Sequence, residues 1–444
     1  MLAHLRRTVF ALSLLADPAA AMRPVEAPRL PPPDPGTFTI VSVATAQELA
    51  DACWNVASNT AIVVAPGTYE LDSVAFPNGV DGRLTLGRFG APPISNVQLR
   101  GATGDPADVV LLGAGMLDPS VPFGIQVFTA TDVLIADLSV GEVYFHAVAI
   151  QGDQGAERVR LYHVRAFDAG QQIVKGSGSG ADDVVIEFSE IFFTEGAVEH
   201  PEGSPPGSCY TNGIDATGGS RWIVRDNRIH DIRCQNGDLA GPAVLLWQGS
   251  SDSLVERNAF EDCSRGVSLG LVSGGDHSGG IVRDNTFRWH PGLTPGYAVD
   301  VPIYTVSPSS KILHNTALTY GHYPNAVEVR FAGTTGVEVR SNLLDGAVQP
   351  RDGGAPATSD NETAASLDWF LDATAGDLRL ATAALPGVAT ALRLPDAPDD
   401  FARWTRPQSP ELTEVGAFAA GLLFRSGFES GGPGAWSAAV GAAP

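Results

Sequence analysis

Residues 222–229 read WIVRDNRI and residues 281–287 read IVRDNTF. In each, a β-branched run leads into Asn and an apolar residue follows closely. The block returns in looser form as VLIADLSV from Val133, VRLYHVRAF from Val159, VVIEFSEIF from Val184, LVERNAF from Leu254, KILHNTAL from Lys311 and VEVRSNLL from Val337. Its polar positions are Asp137, His163, Ser189, Asn227, Asn258, Asn285, Asn315 and Asn342, spaced by 26, 26, 38, 31, 27, 30 and 27 residues. A recurrence of that length marks a repeat architecture.

Between the blocks lies a second strand-like segment: HAVAIQG from His146, QQIVKGS from Gln171, NGIDATG from Asn212, PAVLLWQG from Pro242, RGVSLGL from Arg265, YAVDVPI from Tyr297 and NAVEVRF from Asn325. Each unit therefore holds at least two short alternating strands separated by Gly, Asn, Asp and Ser, with no room for a helix of about ten residues. Helical repeats are excluded. A propeller blade of about 40–45 residues is too long, and a sandwich has no reason to repeat one block at a fixed interval. The fold class expected is all-β, a right-handed parallel β-helix in which each unit is one coil and equivalent strands stack into long parallel sheets. An Asn column has a physical reason there: Asn tolerates the left-handed backbone of a tight turn, and amides stacked one coil apart bond to each other.

The segment 45–56 has helical spacing, with Leu49, Cys53 and Val56 on one face, and it precedes AIVVAPGTYEL, a plausible first coil. A helix there would cap the open end of the core and block edge pairing. Past Asn342 the period decays. The expected organisation is a signal peptide over 1–21, a Pro-rich linker over 22–37, a β-helix over 38–352, irregular coils or a cap over 353–418 and a tail over 419–444.

The chain is 44 % hydrophobic and 18 % charged, which argues against disorder, and no apolar run approaches the ~20 residues of a membrane span. Fifty acidic residues against 28 basic ones give a net charge of −22, which disfavours nucleic acid and anionic membranes. An anionic ligand would need a local basic patch or a bridging cation. Arg6-Arg7, the apolar stretch from Thr8 to Leu15 and Ala19-Ala20-Ala21 follow the order of a secretory signal. The linker after it is expected to be extended and unpacked. Cys53, Cys209, Cys234 and Cys263 fit an oxidising compartment, with the pairing open, and no Cys/His spacing suggests zinc. The expected setting is secreted or periplasmic in a bacterium, as a monomer.

APGTY from Ala65, VRDNRI, IVRDNTF and the second-strand segments resemble the secreted right-handed parallel β-helix repeat proteins that share the pectate-lyase-like fold, over about Phe38 to Val348. That fold houses polysaccharide lyases, polygalacturonases, epimerases, tailspikes and adhesins, so the resemblance implies architecture more than chemistry. The terminal FRSGFESGGPGAWS is similar to a short tail of many exported bacterial proteins.

Polymers bind a β-helix along an outer sheet face. If Val148, Val174, Ile214, Val244, Val267, Val299 and Val327 face inward, then Ala149, Lys175, Asp215, Leu245, Ser268, Asp300 and Glu328 form one outward column. A second runs through Gln151, Ser177, Thr217, Trp247, Gly270, Pro302 and Arg330. With coils ~4.8 Å apart, Lys175 and Asp215 become neighbours beside Gln151 and Trp247. Lys175 is one of only two lysines. Gln172, Asn212, Gln248 and His146 complete the expected substrate-binding set.

A uronate lyase must neutralise a carboxylate and remove the proton beside it, which a Lys or Arg can do with a cation in support. Resemblance in fold to chondroitinase B and related alginate lyases implies a Lys and an Arg with calcium held by acidic residues. On that analogy Lys175 is the Lys, with Asp215 its partner and Arg221 or Arg233 as acid. Glu195 and Glu199 lie in the long insertion TEGAVEHPEGSPPGSCYT from Thr194 and are the candidate Ca²⁺ ligands. The competing reading of Lys175 is a salt bridge to Asp215, and that of the insertion is a solvated acidic loop pinned by Cys209. The polygalacturonase motif set is not present in order, and Asp182-Asp183 reads as a turn. His230 and His277 read as turn or surface histidines. Two functions follow as expectations: a polysaccharide-binding protein, as a uronate lyase in its most specific form, or a non-catalytic, adhesin-like surface solenoid.

Overall fold

The computed structural model describes residues 25–76, 83–293, 296–381, 385–407 and 412–419. The expected signal peptide and almost all of the expected tail lie outside these residues. The chain is a parallel β-helix with three strands per coil. The first column runs from Thr39–Val43 through Thr60–Val64, Ile223–Arg225 and Ile281–Arg283 to Ala357–Ser359. A second runs from Gly67–Glu70 through Arg228–His230 and Thr286–Arg288 to Leu343–Leu344. The third runs from Leu84–Leu86 through His146–Gln151, Val174–Ser177, Ile214–Thr217 and Val244–Trp247 to Val348–Arg351. Pairing along each column is parallel.

Each quoted block therefore spans two strands, not one, with a sharp bend between them. The residue in left-handed backbone is the one before Asn, not Asn itself: Asp226, Arg257, Asp284, His314 and Ser341 have φ of 57°, 52°, 54°, 51° and 58°. Asp137 and His163 occupy this bend, so the polar column slips by one residue at the first two coils. Leu138 and Val164 stand where Ser189 and Asn227 stand later. Asn is freed from the bend to do something else. Asn258 donates from its backbone N (2.9 Å) and Nδ2 (3.0 Å) to Asn285 Oδ1, while its Nδ2 also reaches the Val224 carbonyl at 2.8 Å. The pattern repeats through Asn285, Asn315 and Asn342. All four amides are fully buried, and the ladder leaves none unsatisfied.

Inward Val, Ile and Leu side chains of the three columns form one continuous core. Helix α1 (Ala46–Trp54) covers its beginning, with Leu49 and Cys53 buried. It starts on a capping box, Thr45 Oγ1 accepting from Glu48 N (3.2 Å) and Glu48 Oε2 from Thr45 N (3.1 Å). The first coil begins one strand earlier than AIVVAPGTYEL, at Thr39.

The described part of the linker is hydrogen-bonded onto the coils rather than free of them, although none of its residues is buried. Arg100 Nη1 donates to the Pro31 carbonyl at 2.8 Å, Arg29 Nη2 to the Thr103 carbonyl at 3.1 Å, and Tyr162 to the Pro28 carbonyl. At the other end the coils pass the expected boundary at 352, because Ala357–Ser359 extends the first column and Asn361 takes the last place in the amide ladder. The following residues form a strap that folds back along the outside of the first and second columns. It carries its own apolar cluster, including Phe370, Leu378, Phe401 and Phe418, which closes over Leu318 and Leu343. Arg406 of the strap is fully buried against Asp284 at 2.6 Å. Cys209 pairs with Cys234, while Cys53 and Cys263 are free and buried. Among the described residues no helix is long and apolar enough to cross a membrane.

Candidate functional site

On the third column Val148, Val174, Ile214, Val244, Val267, Ile303 and Val327 are in register and face the core. Near Val299 the register differs from the expected one by four residues: Tyr304, not Asp300, follows Ser268 in the outward row, and Pro302 is not part of the second row. The step from Val267 to Ile303 is 36 residues against 24 from Ile303 to Val327, and that extra length displaces the register. Going backwards, Gln126 joins the outward row beside Ala149.

Lys175 and Asp215 are direct cross-strand neighbours. Lys175 Nζ lies 2.7 Å from Asp215 Oδ2, and Trp247 Nε1 donates to Asp215 Oδ1 at 2.9 Å. Both carboxylate oxygens are thus engaged. The Asp215 side chain is 1 % exposed and that of Lys175 14 %, so the pair is nearly desolvated on a face that could have been wet. Burying two charges costs several kcal/mol each unless geometry compensates. Lys175 retains two ammonium N–H groups beyond the one given to Asp215.

His146, one coil away, has Nδ1 at 2.9 Å from the Gln172 carbonyl. A carbonyl only accepts, so Nδ1 carries the hydrogen and Nε2 the lone pair. Burial pushes the His146 pKa down to about 3; the Gln172 carbonyl opposes this, and the Lys175 charge reinforces it. The imidazole is therefore neutral. Tyr210 is held above its ordinary pKa by burial first and the Asp215 charge second, with the Gln172 amide opposing, so it keeps its proton. The Gln172 amide faces the Tyr210 hydroxyl, and one buried amide atom further along the row, Gln126 Oε1, has no partner in bonding geometry. Such an atom costs about 1–3 kcal/mol.

The long insertion forms one wall. Gln171 Nε2 donates to the Glu202 carbonyl at 2.8 Å, Tyr144 Oη to Glu202 Oε1 at 3.0 Å, and the tilted rings of His200 and Tyr144 lie 4.3 Å apart. The disulfide at Cys209 anchors its far end next to Tyr210. Phe123 lies 5.6 Å from both His146 and Phe145.

Other expected residues stand elsewhere or play different parts. Asn212 is buried, its Nδ2 donating to the Pro242 carbonyl at 2.8 Å. Gln151 is half-buried at the end of its strand, and Gln248 is exposed at a bend with φ 54°. Arg221 sits at the corner between the third and first columns, paired with Asp183 at 2.6 Å and Asp182 at 3.4 Å. Arg233 is held by Asp231 at 2.9 Å and lies over the Tyr297 ring at 4.4 Å. Neither arginine reaches the Lys175 pair through any bond in the structure. Glu199 accepts from Asn236 at 3.2 Å and Glu195 is exposed. Among the described residues no three His, Cys, Asp or Glu side chains gather in one place, these two glutamates included. His230 and His277 are buried, not surface residues: His230 bonds Asp231 (2.8 Å) and Glu190 (3.3 Å), and His277 is enclosed between Ser253 and Ser307. Tyr210 and Gln126 escaped sequence reasoning. Tyr210's only signal was its place next to Cys209, and Gln126's was the alternation in FGIQVF.

No protein-family model matches the sequence, and no curated protein matches it. Among solved structures the chain is similar to an alginate lyase from Paenibacillus sp. str. FPU-7, with 16 % identity, 73 % of this chain and 99 % of that one covered, and a TM-score of 0.46. It is also similar to pectate lyase Pel9A (13 %, 85 % and 96 %, TM-score 0.48) and to the Streptococcus pneumoniae surface protein and adhesin PfbA (11 %, 73 % and 85 %, TM-score 0.44). Likeness at this level carries no argument about chemistry.

Proposed function

We propose that this protein binds a polysaccharide along the outer face of the third column and that its most specific activity is β-elimination on a uronate polymer. The observation that carries the reading is the nearly desolvated Lys175–Asp215 pair, capped by Trp247 on an outward row of the sheet. Lys175, fixed by Asp215, offers its remaining N–H groups to a uronate carboxylate. With the carboxylate neutralised, the proton on the adjacent carbon is more acidic. Neutral His146 takes it through Nε2, Tyr210 donates its proton to the departing glycosidic oxygen, and a C–C double bond replaces the C–O bond. Burial is the main cause of the low His146 pKa and persists in the complex; the arriving carboxylate offsets only the lesser contribution of the Lys175 charge. Ion-paired Lys175 is thus the electrostatic anchor in this scheme, and the base role passes from Lys175 to His146.

The saturated Asp215 favours a second reading, in which the pair is structural and the face binds glycan without cleaving it. One experiment separates the two: incubation with alginate, pectate and glycosaminoglycans, following ultraviolet absorbance of the unsaturated product, with and without Ca²⁺, for the wild type and Lys175→Ala, His146→Ala and Tyr210→Phe. Product from the wild type, lost in the variants, supports the lyase. Silence on every uronate polymer removes the lyase and leaves binding alone. Activity that survives in His146→Ala and Tyr210→Phe removes their roles.

A further inference from the structure

A second polar cleft, of 460 Å³, opens on the first column, where the linker and the strap meet. Its lining includes Arg160, Arg225, Arg257 and Arg403, with Glu187 and Phe188. These guanidiniums are built in two tiers. Glu187, 1 % exposed, is clamped by Arg160 Nε at 2.6 Å and Arg225 Nε at 2.7 Å. Asp226, also 1 % exposed, is clamped by Arg257 Nε at 2.9 Å and Arg403 Nη2 at 2.8 Å. In every case the arginine spends Nε and Nη2 on a carboxylate. All four Nη1 amines are left without a hydrogen-bond partner among the described residues. Two aromatic rings stiffen the floor: Arg160 lies 4.6 Å over Tyr162, Arg403 lies 4.9 Å over Phe188, and the two rings pack edge-on at 5.3 Å.

The local charge is inverted. Arg29 also lines the cleft, so five guanidiniums stand against Glu187 and Asp399 in the wall and Asp226 and Glu256 behind it. Five against four is a reversal in a chain with 50 acidic residues to 28 basic ones. A guanidinium edge matches the two oxygens of a carboxylate. The volume suits a small organic ligand, and half-buried Phe188 offers an apolar surface beside the donors. We propose that this cleft is a second glycan site, which binds a carboxylate-bearing sugar unit through the Nη1 edges of Arg160, Arg225, Arg257 and Arg403. It does not depend on the third-column reading. Because the linker and the strap each supply a wall, ligand binding here also ties these two segments to the coil.

The test is isothermal titration of the full chain with a galacturonate trisaccharide in a Lys175→Ala background, which silences the other face. Arg160→Ser with Arg403→Ser removes one arginine from each clamped carboxylate, and each carboxylate keeps a partner, Arg225 or Arg257, so the fold is preserved; circular dichroism checks this. The proposal expects binding in the Lys175→Ala protein, weakened at least tenfold when both arginines are replaced and weakened by added salt. No binding, equal binding without the arginines, or equal binding of a neutral trisaccharide overturns it. Sodium sulfate binding as tightly as the trisaccharide also overturns it, reducing the cleft to a simple anion site.

Discussion

Replacing Lys175 by Met tests whether the outward pair is a built electrostatic unit. The change keeps the aliphatic stem and deletes the ammonium, leaving Asp215, 1 % exposed, with Trp247 Nε1 as its remaining donor. Removing one partner of a buried pair costs about 3–5 kcal/mol. Lys175 is 14 % exposed, so water can enter the vacated space, which places the cost at the lower end, about 3 kcal/mol. Adding Asp215→Asn to Lys175→Met removes the stranded charge while Oδ1 still accepts from Trp247, and recovers about 2 kcal/mol of that. Urea unfolding followed by Trp fluorescence reads both quantities. If the double variant is no more stable than Lys175→Met, the pair is not an energetically coupled unit and the reasoning fails.

Asn285→Ala strands the backbone N of Asn258, takes one of the bonds of Asn258 Nδ2 and removes the side-chain donor to the Val255 carbonyl in a dry interior, so it should cost about 3 kcal/mol, against about 1 kcal/mol for half-buried Asn361→Ala, by the same unfolding measurement. Replacing Cys209 and Cys234 by Ser opens a 25-residue separation, worth about 3.5 kcal/mol of chain entropy; proteolysis should begin in the 194–211 insertion, and cleavage elsewhere first would contradict its role as an anchored wall. At His230 burial opposes the charge, but the hydrogen bonds to Asp231 and Glu190 prevail and raise its pKa. A raised histidine stabilises fully below its unfolded value of about 6.5 and loses that contribution as pH rises through the folded value, so His230→Gln should cost more at about pH 6 than at about pH 9.

The period, the parallel architecture and α1 were legible because each rests on local chemistry repeated many times. Asn227, Asn258, Asn285, Asn315 and Asn342 recur because every one does the same job. What misled was function without identity: the left-handed bend tolerates Asp, Arg, His, Ser and Phe, so its column has no constant residue, and it was credited to the neighbouring Asn. The Lys175–Asp215–Trp247 contact was legible because strand alternation is strict once register is known. Register failed near Val299, where loop residues supply false strand spacing before Ile303. Arg221 and Arg233 were reached by analogy, not by alternation, and the structure commits both to acidic partners at corners of the coil. Packing of the linker and strap depends on contacts as distant as Arg406 with Asp284, for which a single sequence carries no periodic signal.

The central claim, that glycan lies on the third column around Lys175, is tested most directly by hydroxyl-radical footprinting with and without a saturating uronate oligosaccharide. The account predicts protection of Trp247 and Tyr210, both half-buried beside Asp215, with Trp369 of the strap unchanged. Bound oligosaccharide that leaves Trp247 and Tyr210 as reactive as before would contradict it.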